Sequence, residues 1–191
     1  MELRDVLEHT ERAEETAERN ERFGRRAVIL VSVLAALLAI ASLAGNRASN
    51  EAILAQAMAT DTYNEYQANS LKRHVNLDDA ALLRLLAAGG PNEIEANQQA
   101  AALEQAVADK YQPAQDELLP RAQGLEQDRE AAEARHRVFQ VGEAGFQLGI
   151  VLSSVAIVAR AAPLLWAAGV LGVFGTLLTL DGFTLAVRLL G

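Results

Sequence analysis

The sequence predicts an all-α membrane protein with three transmembrane helices and an extramembrane helical hairpin between the first and second of them. Three observations predict this fold. Residues 27–46 are a stretch of twenty residues without a charge, bracketed by arginines, and at about 1.5 Å rise per residue they match a hydrocarbon core of about 30 Å. Within residues 144–187 only Arg160 and Asp181 are charged. The charged region between these blocks has a coiled-coil-like spacing in its second half.

The first apolar stretch, residues 27–46, is expected to be transmembrane helix 1. Lipid requires a spanning segment to satisfy its own backbone hydrogen bonds, so this stretch must be helical there. A core helix of a soluble bundle is the alternative, although such helices seldom stay uncharged for so long. Residues 1–26 are polar throughout, which is typical of a solvated helix and not of a signal peptide. We therefore expect an N-terminal polar helix and a retained anchor.

Residues 47–141 are expected to form the hairpin. The chain should stay helical to His74, restart at a cap on Asn76, and end a short helix, residues 78–88, at the turn signal Gly89-Gly90-Pro91. Asn92 predicts the next start, and Pro113 and Pro120 should kink or restart the returning helix. A seam with steps of four and three then follows: Tyr111, Gln115, Leu118, Ala122, Leu125, Arg129, Ala132, His136 and Phe139.

Two further spans are expected, at residues 142–160 and 163–181, followed by a C-terminal tail at 182–191. Pro163 predicts a tight turn between them, where Arg160 can extend to the lipid headgroups and Trp166 can anchor at the interface. A re-entrant pair is the alternative. Three complete spans place the two termini on opposite sides of the membrane.

Composition excludes several kinds of function. The net charge of −8 argues against binding nucleic acid, and the absence of Cys excludes disulfides and thiol chemistry. Glu133 and His136 form one E-x-x-H motif, whereas di-iron bundles need two and further carboxylates. A polar and aromatic cluster on the extension of helix 1 is either a ligand site or a packing surface: Asp61, Tyr63, Glu65, Tyr66 and Gln67. We predict no enzyme, no cofactor and no metal site.

Small residues at helical spacing are the stronger signal, since they let helices approach closely in lipid. They occur on the second span at Gly145, Gly149 and Ser153, on the third at Gly169, Gly172 and Gly175, and on the first at Ser32, Ala35, Ala39 and Ser42. These strips can pack within one subunit. Because there are three, we expect at least one to join copies, with the strip of the second span as the first candidate.

Several blocks also resemble a known family. They are RRAVILVSVLAALLAIASLAGN at 25–46, ATDTYNEYQANSLKRH at 59–74, RVFQVGEAGFQLGIVLSSVAIVAR at 137–160 and LLWAAGVLGVFGTLLTLDGF at 164–183. Together they are similar to an uncharacterised bacterial membrane protein family, domain of unknown function 4337. The resemblance covers nearly all of residues 25–183, and it implies a three-span helical protein of the inner membrane. It implies no activity.

These features favour a structural or scaffolding membrane protein, a homo-oligomer or accessory subunit whose extramembrane helices present a surface to a protein partner. The alternative is a channel or transport component with a pore lined by one span. A pore needs inward-facing polar groups at membrane depth, and few residues qualify. Arginine counts on the two sides differ by one and favour a cytoplasmic N-terminus in the bacterial inner membrane.

Overall fold

The computed structural model describes the backbone of residues 2–190 and the side chains of residues 12, 14, 15 and 17–185. It contains four α-helices: α1 (Glu2–Ala87), α2 (Glu93–Ala106), α3 (Gln112–Ala159) and α4 (Ala162–Leu190). A π-helical turn, Val107–Tyr111, joins α2 to α3. Residues 2–190 include no β-strand. The chain divides into unit 1, Met1–Ser49 with Ala132–Gly191, and unit 2, Asn50–Ala131.

Helix α1 continues through Asn76, where the sequence predicts a restart. The polar N-terminal segment and the apolar stretch form one helix, and the expected restart at Asn76 is wrong. The Asn76 side chain donates from Nδ2 to the carbonyl oxygen of Lys72 at 2.7 Å, so it bonds back into its own helix and caps no new one. The helix therefore continues past Asp78 to Ala87.

The turn predicted at Gly89-Gly90-Pro91 is confirmed. Gly89 has φ +71°, a left-handed conformation that glycine adopts without steric cost, and its N–H donates to Glu93 Oε2 at 3.0 Å. Helix α2 then begins at Glu93, as the start signal at Asn92 predicts, although the Asn92 side chain makes no capping hydrogen bond. This turn reverses the chain within unit 2.

Of the two prolines expected to kink or restart the returning helix, Pro113 lies where α3 restarts after the π-helical turn, whereas α3 continues through Pro120. Pro120 lies inside α3, on its exposed face, and Pro113 follows the π-helical turn. In that turn the Gln112 N–H donates to the Val107 carbonyl, five residues back. Pro113 removes the donor that the carbonyl of Asp109 would use in an α-helix, and the wider turn accommodates the change.

The π-helical turn also keeps two seams on one face. Before it, buried and half-buried positions are spaced by four and three at Ala96, Ala100, Leu103 and Val107; after it they follow the predicted seam from Tyr111. The step from Val107 to Tyr111 to Gln115 contains one residue more than the heptad spacing allows. A π-helical turn takes up one extra residue, so both seams stay buried. All nine predicted seam residues from Tyr111 to Phe139 are buried or half-buried.

In unit 2, α1 buries a face with the same spacing of three and four. Small residues dominate its buried positions, which lets a neighbouring helix approach closely: Ala52, Ala55, Ala59, Thr62 and Ala80. An ion pair between Arg84 and Glu104 joins α1 to α2. Unit 2 is thus an antiparallel arrangement of α1 against α2 and the start of α3.

Unit 1 contains the N-terminal part of α1, the C-terminal part of α3 and α4. Contacts from Phe139 to Gly182 at one end and from Gly149 to Ala168 at the other show that α3 and α4 are antiparallel. The tight turn between them is confirmed at Arg160, which has φ +48°, and Ala161. Helix α3 is continuous through residue 142, the expected start of the second span. The expected tail from residue 182 is helical to Leu190.

Three of the described helices, α1, the continuous α2–α3 segment and α4, are long and apolar enough to cross a membrane. Only 17 to 33% of the residues in the most apolar stretch of each are buried. Many large apolar side chains therefore face outward from unit 1, among them Val28, Val33, Val151, Val170 and Phe174. A surface of this kind requires an apolar environment or a partner.

Candidate functional site

The interior of unit 1 is organised around Leu34, which is 2% exposed. Its side chain lies in a hollow made by two glycines on different helices. A Cβ at Gly149 of α3 would lie 3.0 Å from Leu34 Cδ1, and a Cβ at Gly172 of α4 would lie 2.5 Å from Leu34 Cδ2. An added Cβ at either position would force the Leu34 side chain to shift, and glycine lets α1 seat at this depth without that shift.

The backbones of α3 and α4 also meet directly. A Cβ at Gly175 would lie 2.8 Å from the Gly142 carbonyl oxygen, and a Cβ at Gly142 would lie 3.1 Å from the Gly175 carbonyl oxygen. Phe146, which is fully buried, covers Gly175 on the side toward α1. Glycine at these positions permits the close approach that stabilises helices without a hydrophobic driving force between them.

The predicted strips of the second and third spans therefore pack within one chain. Gly145 contacts Leu171 and Gly175 of α4, Gly149 contacts Leu34 and Ala168, and Ser153 is fully buried. Within the single chain α1 and α4 occupy this face of α3, on which the sequence predicts a contact between copies. Gly169 has open space around it, and the strip on the first span at Ser32, Ala35 and Ala39 is exposed. Among the described residues no partner hydrogen-bonds Ser153 Oγ.

An aromatic contact holds the other end of unit 1. Phe139 of α3 is 3% exposed and lies between Gly45 of α1 and Gly182 of α4, where added Cβ atoms would be 3.3 and 2.8 Å away. Its ring meets Phe183 edge to face, with centroids 5.1 Å apart. His136 Nδ1 lies 2.9 Å from the Gly45 carbonyl oxygen, which requires the tautomer that carries its proton on Nδ1. His136 is thus a helix-packing residue.

A surface groove separates α1 from α4 on the outer side of unit 1. Its widest part encloses about 650 Å³ between Phe23, Arg26 and Leu30 of α1 and Leu165, Trp166 and Gly169 of α4. It narrows into an apolar section of about 240 Å³ that reaches Leu37 and Leu177. At the opposite end a polar section of about 570 Å³ is lined by Glu15, Glu18, Arg19, Arg22 and Arg26. The groove is thus charged at one end and apolar at the other.

The predicted polar and aromatic cluster does not converge on a site. Along α1 in unit 2, Asp61, Glu65 and Gln67 are exposed, whereas Tyr63 and Tyr66 are half-buried. Successive residues are about 100° apart around a helix, so these five side chains point in several directions. The single E-x-x-H motif does not form a metal site either. Glu133 lies 3.9 Å from Arg137, and the described residues contain no group of three potential ligands.

Arg84 and Glu104 form an ion pair in which each residue shifts the pKa of the other. Arg84 Nη2 donates to Glu104 Oε2 at 2.9 Å, and Nη1 donates to Oε1. The hydrogen bonds and the positive charge of Arg84 lower the pKa of Glu104, and the same hydrogen bonds and the carboxylate charge raise the pKa of Arg84. Both side chains are nearly half exposed, so water screens the attraction between them.

Sequence reasoning missed Leu34, Phe146 and Gly142, which are central to the packing of unit 1. All three lie in nearly uniform apolar stretches, where hydropathy does not distinguish the face toward a neighbouring helix from the face toward lipid. The burial period of three and four in α1, through Ala27, Leu34, Ala41 and Ala48, is visible only in the structure.

The fold and its packing define an all-helical protein with three helices apolar enough to span a membrane, and its described residues include no group of three potential metal ligands. A family described as domain of unknown function (DUF4337) matches residues 23–185. The chain belongs to this family, as its sequence blocks predict. It matches no curated protein and no solved structure.

Proposed function

We propose that the protein is an integral membrane scaffold: unit 1 anchors it through three spans, and unit 2 presents a helix surface to another protein chain. The observation that carries the proposal is a stripe of exposed apolar residues on α1 in unit 2. Leu71, Val75, Leu82 and Leu86 are spaced by four, seven and four residues, so they share one face, and each is at least 48% exposed. This face is opposite the buried seam that packs within unit 2.

A stripe of this kind is suited to binding a helix of another chain. Residues separated by four and seven positions lie along one side of a helix, where the side chains of an approaching helix can interdigitate with them. We propose a second copy of the chain as the partner, which makes the protein a homo-oligomer. The exposed small residues Ser32, Ala35 and Ala39 permit a parallel contact between copies within the membrane.

Two properties of unit 1 favour an anchor over a pore. Its interior is filled by Leu34 and Phe146, and its buried polar side chains among the described residues are Ser153 and Thr179. Thr179 Oγ1 donates to the Gly175 carbonyl at 2.8 Å, so its hydroxyl is committed to its own helix. The described residues of unit 1 therefore include no polar path within one chain, and a channel would need a pore between copies.

The orientation belongs to the same proposal. Arg26 and Ala162 line one groove, so the N-terminal end of span 1 and the turn at Arg160 lie at the same end of unit 1. Together with Arg19, Arg22 and Arg25, this end is rich in arginine, and positive charge is retained on the cytoplasmic side. We propose a bacterial inner membrane location with a cytoplasmic N-terminus.

The test of the scaffold is the molar mass of the protein in mild detergent, measured by light scattering. We expect an oligomer for the parent and a smaller species for Val75→Glu and Leu82→Glu, because a charge in an apolar helix contact is unfavourable. Ala81→Glu is the control, since Ala81 is exposed on the same helix outside the stripe. A monomeric parent would refute the homo-oligomer, and an unchanged mass in both stripe variants would exclude the stripe as the contact.

A further inference from the structure

We propose that the groove between α1 and α4 binds one anionic phospholipid, with its phosphate at Arg26 and one acyl chain along the apolar section. The inference rests on the proposed membrane placement of unit 1. It names a ligand for a surface that the packing of the three helices leaves open.

Arg26 stands where the polar and apolar sections of the groove meet, because it lines both of them. Its neighbours are already paired: Arg22 binds Glu18 at 2.9 Å and Arg25 binds Glu21 at 3.3 Å. In the part of the chain whose side chains are described, Arg26 makes no ion pair. Its guanidinium is therefore available to a phosphate, which it can bind with two hydrogen bonds.

The charge of the polar section favours an anion. It is lined by the acidic residues Glu15 and Glu18 and by three arginines, Arg19, Arg22 and Arg26. The Glu18 carboxylate is already bound by Arg22. The net charge of the remaining side chains is positive. These side chains lie directly beside Ala27, the first residue of the apolar stretch, at the depth where lipid phosphates are found.

The apolar section has the dimensions of a lipid chain in one leaflet. From Arg26 to Leu37 the axis of α1 rises about 16 Å, which is close to half of a hydrocarbon core of about 30 Å. Its wall on α4 includes Gly169, around which an added Cβ would meet nothing within 4 Å. Trp166 lines the wide part beside Arg26, where an indole is favoured at the lipid interface.

The experiment is native mass spectrometry of the full chain released from mild detergent, titrated with phosphatidylglycerol or with phosphatidylcholine of identical acyl chains. We expect one phosphatidylglycerol to bind per chain. It should be retained about tenfold more strongly than phosphatidylcholine, because only phosphatidylglycerol has a net negative charge to interact with the arginines. Arg26→Gln should remove this preference. Gly169→Leu should remove binding of both lipids, since the new side chain occupies the open section of the groove.

The controls are Arg25→Gln, which removes a neighbouring charge outside the groove, and Gly124→Leu, which adds the same side chain at an open glycine in unit 2. Both should behave as the parent. Equal retention of the two lipids, or binding that survives Gly169→Leu, would overturn the inference. Displacement of the lipid by inorganic phosphate alone would show a simple anion site and would also overturn it. A chain that remains soluble without detergent would instead refute the proposed membrane function.

Discussion

The contact of Leu34 with Gly172 gives the sharpest test of how unit 1 is packed. Gly172→Ala places a methyl group 2.5 Å from Leu34 Cδ2. Leu34 is 2% exposed, so its side chain can move away from the methyl group only by displacing the groups packed around it. Overpacking of this kind costs about 1–3 kcal/mol. Ala is a better helix former than Gly by about 1 kcal/mol, so the net loss for Gly172→Ala should be about 0–2 kcal/mol.

Gly169 supplies the matched control on the same helix. An added Cβ there meets nothing within 4 Å, so Gly169→Ala should be neutral or stabilising by up to about 1 kcal/mol. Leu34→Ala loses packing but leaves room for the new methyl group at Gly172. In the double variant Leu34→Ala/Gly172→Ala the methyl group should therefore cost nothing, which gives a coupling free energy of about 1–3 kcal/mol.

The assay is unfolding by sodium dodecyl sulfate in mild detergent, followed by the fluorescence of the single tryptophan. That tryptophan, Trp166, lines the groove between α1 and α4, so its emission reports their separation. Equal stability of Gly172→Ala and Gly169→Ala, or additive effects in the double variant, would refute the seating of Leu34 between Gly149 and Gly172.

Two further predictions concern unit 2. Because Arg84 lowers the pKa of Glu104, this pair stabilises the fold above the ordinary pKa of a glutamate, and the stabilisation is lost as the pH falls through the lowered pKa. The melting temperature of the parent should exceed that of Glu104→Gln at about pH 7, and the difference should shrink as the pH falls below the ordinary pKa of a glutamate. A difference that stays constant into acid would contradict the assignment. Gly89→Ala forces a side chain into a left-handed conformation and should lower the free energy of chemical unfolding by about 1 kcal/mol. Gly24→Ala lies at an open helical position and should not lower it. Equal effects of the two substitutions would contradict the turn geometry.

The spacing of apolar residues predicted more of the structure of unit 2 and the adjoining part of α3 than of the apolar helices. The seam from Tyr111 to Phe139 could be identified because polar residues separate its members, and the turn at Gly89 because glycine and proline occur together. The continuity of α1 through Asn76 could not be identified, because a residue type that caps helices can also hydrogen-bond to a carbonyl of its own helix. The π-helical turn was equally hidden: its signal is one extra residue between two seams, which is recognised only when both are known.

The glycines of unit 1 show what the sequence could and could not predict about the candidate site. Their spacing predicted close helix approach, and Gly149, Gly172 and Gly175 do meet neighbouring helices. Which helix each one meets depended on Leu34 and Phe146, and no pattern distinguishes these two from other apolar residues. The interface between copies was therefore predicted on a face that the chain itself covers, while Gly169 borders an open groove.

Labelling of single-cysteine variants tests the three-span anchor most directly, because the natural chain has no cysteine. Asn50→Cys lies just after span 1 and Ala162→Cys lies at the turn between the other two spans, and both positions are exposed. With a reagent that does not cross membranes, we predict that Asn50→Cys is labelled in intact bacterial cells whose outer membrane has been permeabilised, and Ala162→Cys only after the inner membrane is opened. The reverse pattern would invert the orientation, and labelling of both sites from the same side would contradict a membrane-spanning unit 1.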